Sequence, residues 1–539
     1  MFAATVSLAL IGNMSKAESY ESPAAHKDGN ATGENFGRSV LIMDLNADRI
    51  ADLIVGAPLD SPAGRMNAGS VALLLSSGGV PMNDTLVLNG THANDLFGWC
   101  LANVGDVNGD GWDDLAIGAP FADPNGHVDA GNVTILYGGP AFTGVPDAWL
   151  NSSTNGEEFG YALGGAGDIN GDGREDLIVG APFSTASGLL NAGRVYVFFG
   201  GIPPDNVADR TFSGEVSGAH FGLSVAGGRS VDGDTAMDLV IGAPDHKVAG
   251  MQVGAAYVIR NLNKVNPTIN VVTGKADGDK FGFSVAMIPD MNGDTYADVA
   301  IGAPYNNDNG SDAGEVSILY GGAKFNTRID LTLMGMAANE LFGWSLASGD
   351  FKEDGFADLL VGAPNSSLNA TSAGRAYAFH GSPTPDSAPD AVLVPDGGAD
   401  YFGASVCVGD NITGDSAPDF AVGDPMFTLP GLANAGRVYL YSGLLVIEPR
   451  NPVVWGYVRV PNTTIGLQGF TVTLEAGDFS KSTMTTANGS FQIDAMPGTY
   501  WLNATKPGYI TNTTTVTLAM NEVKQVPPIY PETVPLAMG

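Results

Sequence analysis

One phrase is written seven times along this chain. FGRSVLIMDLNADRIADLIVGAP begins at Phe36, FGWCLANVGDVNGDGWDDLAIGAP at Phe97 and FGYALGGAGDINGDGREDLIVGAP at Phe159. FGLSVAGGRSVDGDTAMDLVIGAP follows at Phe221, FGFSVAMIPDMNGDTYADVAIGAP at Phe281, FGWSLASGDFKEDGFADLLVGAP at Phe342 and FGASVCVGDNITGDSAPDFAVGDP at Phe402. The starts lie about 61 residues apart throughout, the mark of a tandem array in which each copy is one supersecondary unit.

Each unit holds four strand-like pieces. In the second they are FGWCLANVG, DLAIGAP, GNVTILYGG and roughly DAWLN, with apolar residues alternating with small or polar ones. Four antiparallel strands per unit, at a period too long for most solenoids, predict a β-propeller blade. The fold class expected is all-β, with a seven-bladed propeller over 36–443. Abundant glycine (74) and proline (32), with no long amphipathic helical stretch, agree with short strands joined by turns. The Phe is expected between neighbouring blades, and the Pro of Gly-Ala-Pro at the end of a ladder.

A ring needs closure, and the segment 1–35 offers two readings. MFAATVSLALIGNMSKAES has a short apolar stretch and a small-residue cleavage site near Ala17 but no basic start, so it reads as a degraded signal peptide. Alternatively VSLALIGNMSKA supplies the outer strand of the last blade, with LLVIEP at 444–449 as the rival closing strand. No apolar run approaches the roughly 20 residues of a membrane span.

Between the first and second strands the second unit reads DVNGDGWDD, four aspartates and an asparagine within nine positions. Two unit charges 4 Å apart repel by about 1 kcal/mol in water and about 4 near a protein surface, so the crowding calls for generous solvent or a cation. The pattern is Asp-x-Asn-x-Asp-x-x-x-Asp. Oxygens at one, three, five and nine with a main-chain carbonyl at seven, and no His or Cys, point to calcium ahead of magnesium, which demands a stricter octahedron. The first half looks like an EF-hand loop, but a strand follows and the twelfth-position Glu is missing. Complete sets are Asp44, Asn46, Asp48, Asp52; Asp106, Asn108, Asp110, Asp114; Asp168, Asn170, Asp172, Asp176; and Asp290, Asn292, Asp294, Asp298. Ile50, Trp112, Arg174 and Tyr296 are the expected carbonyl donors. The bland alternative for any one loop is an Asx-rich turn with solvated acids.

The remaining loops depart from the pattern. The fourth begins with Ser230, leaving Asp232, Asp234 and Asp238. The sixth keeps Asp350, Asp354 and Asp358 but has Lys352 at position three, whose ammonium substitutes for a cation. The seventh offers Asn411, Thr413, Asp415 and Asp419 at lower charge. Weak calcium binding is expected in the seventh and none in the fourth and sixth.

These repeats resemble the FG-GAP repeats of the integrin alpha-subunit propeller, over about 410 residues, with Gly423-Asp424-Pro425 and the three loops above as departures. The resemblance implies a secreted or cell-surface binding module. It also implies structural calcium on one face and partners on the other, at loops such as GTHANDL and FADPNGHVDAG. After the linker 444–451, residues 452–533 (GYVRVPNTTIGLQGFTVTLEAG, then TMTTANGSFQIDAMPGTYWLNATKPGYI) alternate as strands, with turns at Asn488-Gly489 and Pro497-Gly498. They are similar to the carboxypeptidase regulatory-like, transthyretin-like domains. That implies a small β-sandwich used as a spacer or as a protein or carbohydrate contact, with no catalytic residue. Residues 534–539 form a short tail.

A net charge of −34 argues against nucleic acid, which needs a positive face. Asn-x-Ser/Thr sequons at Asn30, Asn83, Asn89, Asn132, Asn151, Asn309, Asn365, Asn369, Asn462, Asn503 and Asn512 fit an extracellular glycoprotein. Cys100 and Cys407 stand where other units place Ser or Ala, and read as small buried thiols. The six histidines are scattered without ligand spacing, with His92 and His220 read as surface residues; no Gly-x-Ser-x-Gly elbow or phosphate loop occurs. The function expected is therefore a calcium-stabilised adhesion or recognition protein outside the cell, with an extracellular protein or glycan partner. It has no transmembrane segment of its own and has room for membership of a larger surface protein. The rival is a carbohydrate-active enzyme, a lyase or hydrolase, with its site in the propeller funnel.

Overall fold

The computed structural model of the chain describes residues 20–443 apart from 22, 77–84, 203, 368–372, 396–400 and 416. It also describes residues 453–533 apart from 459–466, 469, 477–478, 487–489, 495–497, 507–508, 511–513, 519–522, 526–528 and 530–531. One compact unit spans Tyr20–Leu445 and a second contains Val446–Gly539.

The first unit is built from repeated four-stranded antiparallel sheets. In the first, Ser39–Met43, Asp52–Ala57, Ser70–Leu74 and Thr85–Asn89 pair in chain order. Six more sheets share the order of the first three strands, with second strands Leu115–Ala119, Asp176–Ala181, Asp238–Ala243, Asp298–Ala303, Asp358–Ala363 and Asp419–Asp424. The sixth gains a fifth strand, Tyr20–Glu21, parallel to Ala391–Leu393. Each inner strand neighbours the inner strand of the next sheet, and Ser405–Gly409 neighbours Ser39–Met43, so the described sheets run round a circle.

The sequence explains why the second strand reads DLIVGA instead of alternating. Every residue of Asp52–Ala57 is buried, because both faces of the sheet meet another sheet. Seven apolar cores lie between consecutive sheets, the last uniting Val40, Ile42 and Val55 with Cys407, Ala421 and Val438. Full burial stabilises each such side chain by roughly 1.5–3 kcal/mol.

The Phe-Gly at the head of each repeat is an inter-sheet contact. Phe97 bridges to Gly69 just before the third strand of the preceding sheet, and Phe342 to Gly314 in the same way. Gly314 has φ +88°, and a Cβ on it would collide with the Phe342 carbonyl oxygen. Only glycine allows that approach at that conformation.

The last sheet draws its outer strand from the beginning of the chain. Ala25–Asp28 pairs antiparallel with Arg437–Tyr441, and Arg437 holds Asp28 through Nε at 2.5 Å. Neither expected closing strand, VSLALIGNMSKA or LLVIEP, includes these four residues, and both stretches lie outside the described residues. AHKD has little apolar content to announce a strand. It is held by backbone pairing and by this ion pair.

The second unit has one sheet of Val453–Tyr457 between Ser490–Asp494 and Val523–Gln525, and another ordered Phe479–Met484, Thr471–Ala476, Gly498–Thr505, Thr514–Leu518. Val458, Phe470, Val472, Leu474, Phe491, Ile493, Leu502 and Val516 belong to its core. This is the small β-sandwich expected; its turns at Asn488-Gly489 and before Gly498 fall outside the described residues.

Two glycine variants separate close approach from conformational strain. Gly355 has φ +87°, and a Cβ added there would meet nothing within 4 Å, so Gly355→Ala carries strain alone. Gly314→Ala is expected to lower unfolding stability by about 2 kcal/mol more than Gly355→Ala in denaturant titration.

Candidate metal centre

The nine-residue acidic loops join the inner strand of a sheet to its second strand. In the second loop Asp106 folds back over the turn: Oδ1 accepts from the amides of Gly109 (2.6 Å) and Asp110 (3.0 Å), and Oδ2 from Gly111 (2.7 Å). Asn108 Oδ1 accepts from Asp110 N at 2.8 Å, and Asp110 Oδ1 from Trp112 N at 3.0 Å. The loops of Asp168–Asp176 and Asp290–Asp298 repeat these bonds. The first loop keeps most of them, with Asp44, Asn46 and Asp48 accepting from Asp48, Arg49 and Ile50. Ile50, Trp112, Arg174 and Tyr296 each give their N–H to the fifth-position carboxylate. The alternating oxygens thus come from Asx turns, as local carboxylate-to-amide bonding favours.

The ninth position behaves differently. Asp52, Asp114, Asp176, Asp238, Asp298, Asp358 and Asp419 are all fully buried. Each carboxylate spans two structures. Asp114 accepts from Val107 N within its loop (3.0 Å) and from Gly138 N at the exit of the third strand (2.9 Å). Asp52 does the same with Leu45 and Ser76, and Asp358 with Phe351 and Gly381. The bond pattern persists in the fourth, sixth and seventh loops, where the metal pattern is incomplete. Position nine therefore braces the hairpin whatever else it does, a role the sequence pattern alone did not separate from ligation. Burial pushes Asp52, Asp114, Asp176 and Asp298 up to about 7, and the carboxylates at positions one and five add to the rise against the lowering by the amide bonds.

Charge compensation divides the loops. In the fourth, Arg260 Nη1 reaches Asp232 Oδ2 at 2.5 Å. In the sixth, Lys352 Nζ lies 2.9 Å from Asp354 Oδ2. In the seventh, Thr413 Oγ1 donates toward Asp415 (3.1 Å) and Asp419 (3.2 Å), and Ser442 donates to Asp415. Among the described residues the four complete loops make no ion pair with Lys, Arg or His; Arg174 lies against Gly109 without one. The donor set there, three carboxylates and an amide with no nitrogen or sulfur ligand, fits a hard divalent cation. Among the described residues, however, no three Asp, Glu, His or Cys side chains already converge as a closed metal cage, since the oxygens rest on the loop amides.

The opposite end of the sheets carries acids that the motif reading passed over. Two residues before the repeated Phe stand Glu34, Asp95, Glu157, Asp279 and Glu340, all buried; the fourth repeat has Ala219 there, and Asp400 lies outside the described residues. Glu340 accepts from the amides of Met336 (2.6 Å) and Ala337 (2.9 Å), from Ser366 Oγ (2.9 Å) and from the Tyr377 hydroxyl. Glu157 similarly gathers the hydroxyls of Ser152, Ser184 (2.9 Å) and Tyr196 (3.0 Å). The acid at that fixed offset was visible in the repeats and marks carboxylates that pin the face loops. His220 is no free surface residue: its Nδ1 lies 2.8 Å from Asp245 Oδ2, and Lys280 pairs with Asp245 as well. Both thiols are free; Cys100 is half-buried with Sγ 3.1 Å from the Gly160 carbonyl and Cys407 is buried, and burial pushes them up to about 12 and about 11.

Circling sheets with acidic hairpins at one end define a propeller-type repeat protein. The FG-GAP repeat model matches residues 36–74, 97–136, 159–198, 281–319, 342–379 and 402–441, leaving the unit at Phe221 unmatched, and the carboxypeptidase regulatory-like domain model matches 453–528. The chain carries six FG-GAP repeats followed by a carboxypeptidase regulatory-like domain. It is 38% identical to integrin alpha-IIb of Mus musculus over 179 residues, 32% of this chain and 17% of that protein. It is 31% identical to integrin alpha-5 of Xenopus laevis over 217 residues, 39% and 20% of the two chains. It is 30% identical to phosphatidylinositol-glycan-specific phospholipase D of Homo sapiens over 300 residues, 50% and 35%. The chain thus spans about a third or less of the length of these relatives.

Glu340→Gln keeps the shape but removes a charge that four donors share. It is expected to cost about 1–3 kcal/mol of unfolding free energy, measured by denaturant titration.

Proposed function

We propose that this is a calcium-stabilised binding protein of the cell exterior or surface, which meets a protein or glycan partner through the loops opposite its acidic hairpins. The observation that carries the calcium reading is the division of the loops. Where the Asp-x-Asn-x-Asp-x-x-x-Asp set is broken in the fourth and sixth sheets, Arg260 or Lys352 supplies a positive charge. Where it is complete, no described side chain does. Calcium would be held by Asp44, Asn46, Asp48 and Asp52 with the Ile50 carbonyl, and by the equivalent residues of the second, third and fifth loops. There it would neutralise the clustered carboxylates and stiffen the hairpin. The location and the recognition role rest on the likeness to integrin alpha chains, and the exposed sequon residues Asn30 and Asn89 are compatible with an exterior address.

The phospholipase among the relatives keeps a catalytic reading as the alternative. A cavity of about 470 Å³, lined in part by Asp113, Glu175, Gly165 and Gly227, is where a funnel enzyme would work. Substrate turnover lost on Glu175→Ala would favour it.

Calcium titration of the metal-stripped protein should show four strong sites and a weaker one in the loop of Asn411–Asp419. Chelation should lower the melting temperature. Lys352→Asn completes the sixth set and should add one site. Unchanged melting on chelation, together with no gain in Lys352→Asn, would sink the calcium reading.

A further inference from the structure

Arg38 follows the first Phe-Gly and precedes the inner strand Ser39–Met43, at the end of that strand remote from Asp44. It is half-buried, and its guanidinium carbon lies 4.4 Å from the centre of the Trp99 ring. Trp99 packs in turn on Tyr161 (5.3 Å between centres) and Phe121 (6.4 Å), and Tyr161 on Phe183 (6.0 Å). All four rings are half-buried, so the guanidinium lies on Trp99 at one side of a connected aromatic patch.

That guanidinium has no counter-charge. Arg194, Arg260 and Arg437 pair with Glu157, Asp232 and Asp28. Arg38 makes no side-chain hydrogen bond or ion pair among the described residues, and Glu158, whose charge acts on Tyr161, does not pair with it. Burial accordingly pushes its pKa down, only partly offset by the Tyr161 phenol and the Cys100 thiol. A guanidinium that lies over an indole and makes no hydrogen bond of its own has donors left for a carboxylate, which it can bind through two parallel bonds.

We propose that Arg38 is the seat for a single carboxylate, presented by an acidic side chain of a partner protein whose surrounding surface is neutral or basic. The proposal rests on the binding role above and names what the partner offers. Charge selects this occupant. At −34 the chain repels a ligand carrying many negative charges, such as an acidic polysaccharide, along its whole length. One carboxylate amid neutral or basic neighbours gains the Arg38 contact while its flanks are attracted. The rings of Trp99 and Tyr161 offer apolar surface to the aliphatic part of the inserted side chain.

The test follows the Arg38 Nε–Hε resonance of the full chain, labelled with ¹⁵N-arginine and loaded with calcium. The probes are a lysine-flanked heptapeptide with one central glutamate and its glutamine twin. The glutamate peptide should shift the resonance saturably and bind at least tenfold more tightly than the twin. By fluorescence titration Arg38→Gln should abolish that difference, Arg38→Lys should weaken it, and Arg229→Gln, at the other end of an inner strand, should leave it unchanged. Melting temperatures establish that each variant is folded; should Arg38→Gln fail to fold, Arg38→Lys and Trp99→Leu carry the test. Equal binding of the two peptides, binding of neither, or a preference that survives in Arg38→Gln would overturn the proposal. Tighter Arg38-dependent binding of a galacturonate tetramer would overturn the class of partner. If the peptides fail while calcium-dependent capture of an extracellular protein on an array persists, the seat alone falls; if both fail, the binding role falls with it.

Discussion

A carboxylate sealed inside each sheet holds both the fold and the candidate site in place. The aspartate at loop position nine is fully buried in all seven sheets and takes one amide from its own hairpin and one from the exit of the third strand. Leaving such a group without partners would cost several kcal/mol, so the hairpin and the third strand are tied to a single geometry. The tie fixes where the first five loop residues stand. It also accounts for the aspartate at this position of the fourth and sixth loops, where the rest of the acidic pattern is incomplete.

The two ends of a sheet solve their backbone problem with the same chemistry at different depth. At the acidic end, shallow Asx turns serve exposed amides and leave negative charge in solvent. At the other end Glu34, Glu157 and Glu340 are buried and gather amides and hydroxyls from the loops around the repeated Phe. Those loops are thereby tied to the sheet by hydrogen bonds, with Arg194 beside Glu157 as well. A rigid frame under varied loop residues suits recognition, because specificity then changes without disturbing the ring.

Much of this was legible in the chain. The Phe-Gly and Gly-Ala-Pro phrases placed the inner and second strands, since their spacing repeats and their burial requires unbroken apolar runs. The closing strand was not legible: Ala25–Asp28 is polar, and its pairing with Arg437–Tyr441 is a contact across nearly the whole unit. Arg260 was missed for a similar reason, because it lies on the third strand, far in sequence from the Asp232 it neutralises. Lys352 is visible in the sequence because it lies inside the loop, two residues from the Asp354 it pairs with. The bracing role of position nine was hidden, because an aspartate there suits a brace and a ligand set equally. The pairing of the partly exposed His220 was not legible, because its partner Asp245, which Lys280 also pairs with, comes from a later loop.

The unequal treatment of the loops makes physical sense as a choice between two ways of offsetting the same repulsion. Like charges held about 4 Å apart near a protein surface cost roughly 4 kcal/mol, less what solvent screens. A lysine or arginine from the chain removes part of that cost permanently, but it gives up side-chain entropy and brings only one charge. A divalent ion brings two and binds several oxygens at once, at the price of depending on its concentration. If calcium fills the four loops that keep every acid and pair with no described cation, as proposed, their stability would rise with the ion available, whereas that of the fourth and sixth would not. On the proposed reading, most of the ring would then be firm where calcium is plentiful and looser where it is scarce. The sectors holding Arg260 and Lys352 would keep their geometry in either condition.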